Sequence, residues 1–213
     1  LIRHKQMFEF ADALRPGNLY DYFLQRQEKG VLAAREILIA ILKSMGEIWP
    51  DGTWVDSIAI GDAAYHEAVK RSDITDRIVP FHKLSQWMSY SLIEPLQLAG
   101  IKIIHLDALT GLAEYRNGGL FIDTGTISLR DKTEMETLHD PKSPLIVEWR
   151  ALTVTLLDQL AEQIRQHTNT NAESLPLVSI LQGGTWSAGR RIAQRLRSDA
   201  SPPLCLKSRG TIF

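Results

Sequence analysis

The chain has 213 residues, 44% of them hydrophobic and 23% charged, enough to bury a core without covalent staples. Its formal net charge of -1 gives no bulk attraction to nucleic acid or to an anionic membrane surface. Cys205 is the single cysteine, which excludes an intrachain disulfide and favours a reducing, cytoplasmic setting. The longest apolar run, 31–45, is interrupted by Arg35, Glu36 and Lys43, so no membrane span is expected.

The opening Leu1-Ile2-Arg3-His4-Lys5 has no initiator Met and no signal-peptide pattern, and reads as the interior of a longer chain. Arg15-Pro16-Gly17-Asn18 is a stop-and-cap signal that predicts a helix over 19–28 with Asn18 as its cap, closed by Gly30. Val31, Ala34, Leu38, Ile41, Leu42 and Met45 recur at helical spacing and predict a buried helix over 31–45. Residues 54–60 read as a short strand or extended loop, and Asp62 as the cap of a short helix reaching about residue 70. Pro80 suits a first helical turn and predicts a helix over 81–93, which Pro95 should kink or end. Within it His82, Gln86 and Ser89 share one face, while Lys83 reads as a solvated charge.

Residues 101–106 are short, β-branched and apolar, and predict a strand or a buried connector. Asn117-Gly118-Gly119 either interrupts a helix or lets backbone approach a ligand. Residues 131–144 read as a polar loop. Leu145, Trp149, Leu152, Leu156, Leu160 and Ile164 mark a long helix, and a last helix covers 185–197 behind Gly183-Gly184. The apolar end, Gly210-Thr211-Ile212-Phe213, is expected to pack down. The expected fold is mainly α, a single multi-helical domain over 1–213 with at most a small extended element.

The densest chemistry lies in 107–123, where three carboxylates, Asp107, Glu114 and Asp123, fall in one stretch. Tyr115 supplies a flat wall, Arg116 a fork for a phosphate or carboxylate, and Gly118 and Gly119 a close backbone approach for an anion. Asp107 reads equally as a helix cap, and Glu114 and Arg116 as surface charges. His82 is a candidate acid or base whose rival reading is a satisfied structural histidine. Arg150, in an otherwise apolar helix, needs a partner, for which Glu114 and Asp123 are the candidates. Gly183-Gly184-Thr185-Trp186 resembles an anion-binding helix start, and places Trp186 among the substrate-binding candidates. Arg190, Arg191, Arg195 and Arg197 read as a solvated face at a helix C-terminus. Neither a metal nor a cofactor is expected: the six histidines lack ligand spacing, and no P-loop, dinucleotide-binding or Gly-x-Ser-x-Gly pattern occurs.

Several blocks run in one order along the chain: Ile48-Trp49-Pro50, Val79-Pro80-Phe81-His82-Lys83-Leu84-Ser85-Gln86-Trp87, Tyr90-Ser91-Leu92-Ile93-Glu94-Pro95, Leu112-Ala113-Glu114-Tyr115-Arg116-Asn117-Gly118-Gly119-Leu120-Phe121, Val147-Glu148-Trp149-Arg150-Ala151-Leu152-Thr153 and Gly183-Gly184-Thr185-Trp186. Together they resemble the uracil-catabolism proteins of fungi and bacteria, of which this chain is similar to the C-terminal half. Blocks 81–86 and 113–116 also resemble the queuosine-salvage ribonucleotide hydrolases, helical proteins related in shape to DNA glycosylases. The chain departs from the first family at Ser208-Arg209-Gly210-Thr211, where an acid is usual in place of Arg209, and at Ala63-Ala64, where Cys-Trp is frequent.

The resemblance implies a DNA-glycosylase-like helical fold and an N-glycosidase-type hydrolase of pyrimidine breakdown. Its substrate would be a small molecule, ribosylurea-like or a related ribonucleoside or ribonucleotide. Breaking a C1′–N bond passes through an oxocarbenium-like state, helped by a carboxylate and a proton donor. Glu114 or Asp123 would fill the first role, with His82 assisting. Tyr115, Arg116, Asp107, Gly118, Gly119, Arg150 and Trp186 would bind substrate. The alternative is a degenerate or partial subunit that binds a protein partner, such as an N-terminal half, or a metabolite, without turnover. The Arg209 departure favours it. Nucleic acid as a partner is disfavoured, because no basic stripe accompanies the near-zero charge.

Overall fold

Apolar side chains at helical spacing set most of the structure. The computed structural model describes residues 1–49 and 51–207, so Arg209 and the apolar end lie outside the described residues. In chain order the helices and strands are α1 (Lys5–Phe8), β1 (Glu9–Phe10), β2 (Ala13–Leu14), α2 (Leu19–Leu24), β3 (Val31–Ala33), α3 (Ala34–Met45), β4 (Thr53–Val55), β5 (Ile58–Gly61), β6 (Ala63–Tyr65), β7 (Ile78–Pro80), α4 (Lys83–Leu98), β8 (Lys102–Ile104), α5 (Tyr115–Asp123), β9 (Leu138–His139), α6 (Pro144–Thr168), α7 (Leu177–Ile180), α8 (Trp186–Leu196) and β10 (Cys205–Leu206). Among the described residues helix dominates, and the strands form five separate two-stranded pairs. The chain divides into two compact units, residues 1–61 with 84–109, and residues 62–83 with 110 onward.

In the first unit α3 buries Ala34, Ile37, Ala40 and Ile41, the inward stripe of a helix. The segment predicted as one helix over 31–45 begins instead as β3, which pairs in parallel with β8. Its β-branched and apolar start, Val31-Leu32, suits a strand once a partner edge is present. The β4–β5 hairpin turns through Asp56 and Ser57, both at positive φ (45° and 67°), the backbone signature of a tight two-residue hairpin. Asn18 holds the N-cap position of α2 as expected but makes no side-chain capping bond: its amide donates to the carbonyls of Phe8 and Ala13, and α2 stops at Leu24. Helix α4 starts three residues after the proline predicted to open it and runs through Pro95 to Leu98. A proline in the last turn forfeits only one ladder bond, and burial of Ile93 and Leu96 on either side holds the turn. Gly100, at φ +90°, closes the helix with bonds from Gly100 N to Gln97 O and from Ile101 N to Leu96 O.

The second unit is organised on α6, which begins with Pro144 at its first turn and ends on Asn169 in the left-handed region (φ 53°). Its inward face carries Ile146, Val147, Trp149, Arg150, Thr153, Leu157 and Ala161. Two apolar clusters pack on it, one of Ile146, Trp149 and Leu204, the other of Ala64, Phe81, Ala113 and Val147. Burying each such aliphatic side chain contributes about 1.5–3 kcal/mol. The helix predicted after Gly61-Asp62 is absent: Ala63–Tyr65 is strand β6, paired antiparallel with β7 through Ala63↔Pro80, Ala64↔Val79 and Tyr65↔Ile78. Two small alanines suit this strand, whose inward positions are filled by Phe81 and Val147 rather than by their own side chains.

Glycines let the helices of this unit approach closely. A Cβ on Gly118 would stand 2.7 Å from Thr153 Oγ1, and one on Gly189 only 2.1 Å from the Arg116 carbonyl. Gly118 and Gly119 therefore lie inside an unbroken α5, against α6 and Pro203 respectively, instead of interrupting a helix. Gly183 and Gly184 do not start a helix either. They sit in a π-helical turn, Leu181–Thr185, that joins α7 to α8 without a free N-terminus.

Candidate functional site

The site is built outward from Arg150. Helical periodicity turns this residue inward with Val147 and Val154, and its side chain is fully buried. A buried guanidinium is tolerated only when its donors are taken up. Nη1 and Nη2 donate to the two carboxylate oxygens of Asp62 at 2.8 and 2.7 Å, and Nε donates to the Ala113 carbonyl at 3.3 Å. The guanidinium also lies 4.0 Å from the centroid of the Phe81 ring. Arg150 is thus paired with Asp62, not with Glu114 or Asp123 as the sequence suggested.

Asp62 does more than pair. Its carbonyl accepts from Phe81 N and His82 N at 3.0 and 2.9 Å, and its carboxylate accepts from Lys83 N at 2.9 Å. The corner 81–83 therefore hangs on one residue, which caps the start of α4 from 21 positions upstream. His82 is held there at φ +50°, a left-handed backbone uncommon for a side-chain-bearing residue and concentrated at functional sites.

Three titratable groups surround this pair. His82 is partly buried and its Nδ1 has no hydrogen-bond partner; burial holds its pKa below the usual imidazole value, with Arg150 adding to the effect against Asp62. Lys83 is 6% exposed, and burial lowers its pKa to about 8, with Arg150 pushing the same way and Asp62 and Glu114 opposing. Among the described residues its ammonium makes neither a hydrogen bond nor an ion pair, and it is the burial of the side chain that departs from the expected solvated charge. Glu114 is also 6% exposed. It caps α5, accepting from Arg116 N at 2.8 Å and Asn117 N at 2.6 Å, and burial raises its pKa against the lowering effect of those two bonds, Lys83 and Arg116. A capping carboxylate so deeply buried is not the surface charge that was its rival reading.

Beside Glu114, buried Asn117 accepts from the Thr185 hydroxyl at 2.8 Å and donates to the Leu112 carbonyl at 3.2 Å. The π-helical turn thereby ties α8 to α5. The remaining candidates lie apart in role. Both oxygens of Asp123 accept from Arg197, at 2.8 and 2.6 Å, so this carboxylate is engaged in a scaffold pair, and Arg197 is not part of a solvated face. Arg116 donates to the Ala200 carbonyl and stacks 4.7 Å from the Tyr115 ring centroid. Trp186, 36% exposed, carries Arg190 at 5.6 Å from its ring. Asp107 is exposed within a 3-10 turn, Leu106–Ala108, whose cap position is His105, and it belongs to the first unit. Gln86 and Ser89 are buried on α4 in that same unit.

Asp62 and Lys83 are the residues that sequence reasoning missed. The only available signal was the demand of Arg150 for a buried acid, combined with the Phe-His-Lys run before a helix. Among the described residues no group of three His, Cys, Asp or Glu is arranged to hold a metal ion, and no helix is long and apolar enough to cross a membrane.

Comparison with known proteins places these features in a family. "Protein urg3" of Schizosaccharomyces pombe is 43% identical over 169 residues, covering 78% of this chain and 41% of that protein. "Uracil catabolism protein 4" of Lachancea kluyveri is 36% identical over 231 residues, covering 96% of this chain and 52% of that protein. The chain spans about half the length of the curated relatives it matches. No solved structure matches it. Residues 1–213 match the family described as "Protein of unknown function (DUF1688)", and the chain belongs to that family.

Proposed function

We propose that this protein is a hydrolase of pyrimidine, specifically uracil, breakdown that cleaves an N-glycosidic bond in a small ribosyl substrate such as ribosylurea or its phosphate. The pathway is supported by the similarity to a protein named for uracil catabolism. The observation that carries the reaction type is the meeting of two sequence-distant segments, 81–83 and 113–114, around the Asp62–Arg150 pair. These are parts of the two blocks that resemble the queuosine-salvage hydrolases, and the same resemblance underlies the expectation of a DNA-glycosylase-like fold.

In this reading Glu114 faces the positive charge that develops at C1′, or takes a proton from the attacking water. Burial raises its pKa, which favours proton exchange over a permanently charged carboxylate. His82, with an unpartnered ring nitrogen, assists proton transfer to the leaving nitrogen. Asp62 and Arg150 act through geometry, fixing the backbone of 81–83. Arg116 and Tyr115 remain the proposed contacts for ribose or phosphate, with Trp186 at the start of α8 in the same unit. Asp123, whose two oxygens are occupied by Arg197, is left to a structural role in this mechanism.

The test is to incubate the purified protein with ribosylurea and with its 5′-phosphate and to follow urea release. Turnover should fall at least about tenfold in Glu114→Gln, the scale of losing one acid–base group. No urea above the Glu114→Gln background rejects the hydrolase and leaves the binding-subunit reading.

A further inference from the structure

A buried lysine whose ammonium has no partner is an unusual thing for a fold to keep. A lysine used only for packing would be replaced by an apolar residue or given a carboxylate in contact, and the Nζ of Lys83, unlike Nδ1 of His82, is not an enclosed atom, so it stays within reach of a ligand. Lys83 has neither remedy. It is 6% exposed, and Asp62, the acid nearest to it in the hydrogen-bond network, spends both oxygens on Arg150 and on the Lys83 backbone N–H. Glu114 spends its oxygens on two backbone N–H groups of α5. The charged groups that act electrostatically on the amine are Arg150, Asp62 and Glu114, one cation and two engaged acids. Desolvation beside a second cation is the arrangement that frees an amine lone pair for nucleophilic attack on carbonyl-type carbon. The first residue of α4 is also held on a corner fixed by three hydrogen bonds to Asp62, so the amine is carried on a rigid base.

We infer that Lys83 is the covalent nucleophile of this site, attacking C1′ of a ribosyl substrate and passing through an imine with the opened sugar. The sugar as ligand rests on the hydrolase reading above; the reactive amine does not. The neutral amine forms an Nζ–C1′ bond as the C1′–N bond to the urea-type leaving group breaks. The leaving nitrogen takes the proton that the attacking amine gives up, with His82 assisting the transfer. Ring opening places the double bond between C1′ and Nζ and a proton on O4′. Water then adds to C1′ and the amine departs, so ribosylurea and water give ribose and urea with Lys83 regenerated. The lowered pKa of about 8 leaves a working fraction of neutral amine near pH 7.5.

Reductive trapping tests this on the unaltered protein. In one arm the protein is treated with D-ribose and sodium cyanoborohydride, in the other with ribosylurea and sodium borohydride during turnover, and modified peptides are mapped by mass spectrometry. The expected result is a reduced pentose adduct on Lys83, formed at pH 7.5 at least about tenfold faster than on exposed Lys5 or Lys70, because a lowered pKa gives Lys83 a larger neutral-amine fraction. Lys83→Arg should abolish the adduct and urea release together. Urea release from the wild type with no Lys83 adduct overturns the nucleophile but keeps the hydrolase. A selective Lys83 adduct from ribose without urea release keeps the amine and rejects the hydrolase. Equal labelling of Lys83, Lys5 and Lys70 overturns the inference outright.

Discussion

Arg150 and Asp62, 88 residues apart in sequence, meet through two parallel hydrogen bonds with both side chains buried. The pair joins the centre of α6 to the corner that precedes α4. Its value lies less in net stability than in what breaks when one partner goes, because the survivor is left as a buried charge.

Asp62→Asn or Arg150→Met alone should lower unfolding free energy by about 3–5 kcal/mol. The Arg150→Met change also removes the stacking on Phe81 at 4.0 Å. The double variant should lose clearly less than the sum, since no unpaired charge remains. Urea denaturation of the four proteins closes the cycle. Additive losses would show that Asp62 and Arg150 are not energetically coupled.

How much of this was legible in the sequence follows from the range of each interaction. Helices α3 and α6 were readable because local periodicity suffices to specify an inward stripe. Strand β3 was hidden inside the first of them because pairing with β8, some seventy positions away, decides its backbone. The carboxylate cap at Glu114 lay in the segment singled out as the site. Its rival reading as a surface charge persisted because burial is a tertiary property. Asp62 was misread as the cap of a local helix; it caps a helix, but α4, across a β hairpin. Lys83 was read as solvated because isolated lysines nearly always are. Gly118, Gly183 and Gly189 carry the same letter, and only packing distinguishes a required contact from an open position.

That distinction predicts opposite signs for one substitution. Gly189→Ala would drive a Cβ to 2.1 Å from the Arg116 carbonyl, a backbone atom that cannot swing aside. Separating α5 from α8 should cost about 1–3 kcal/mol or more. Gly183→Ala meets nothing within 4 Å and should instead stabilise by up to about 1 kcal/mol, the helix preference of Ala over Gly. Thermal melts of the two variants beside the wild type decide it, and similar shifts for both would contradict the packing assigned to Gly189.

Glu114→Gln should weaken the start of α5 near neutral pH by about 0.5–2 kcal/mol, because one acceptor oxygen becomes an amide donor facing a backbone N–H. The pH dependence has a definite sign. Burial raises the folded pKa of Glu114 above its ordinary 4.5, so the folded state binds its proton more tightly than the unfolded chain. That contribution is complete below about pH 4.5 and is lost as pH rises through the folded value. The stability of the wild type relative to Glu114→Gln should therefore decline across the acid-to-neutral range in parallel denaturation series. A flat difference would place Glu114 in a solvated environment.

Lys83 makes the converse prediction at alkaline pH. Its folded pKa, about 8, lies below the ordinary 10.5, so between these values the unfolded chain binds more protons than the folded protein. Stability from this group must then rise with pH through that window, since the slope follows the excess of protons on the unfolded state. Below about pH 8 the folded protein carries the cost of a charged, buried amine. Lys83→Met removes that cost and should be more stable than the wild type at pH 7, by an amount on the order of 1–3 kcal/mol. The advantage should shrink from pH 8 upward and level off near pH 10.5, where both states of the wild type hold the neutral amine. Guanidinium denaturation of the two proteins at pH 7, 8.5 and 10 measures the closing gap. A difference that stays constant over those points would mean that Lys83 titrates as an ordinary solvated lysine, and the desolvated amine on which the proposed imine depends would not exist.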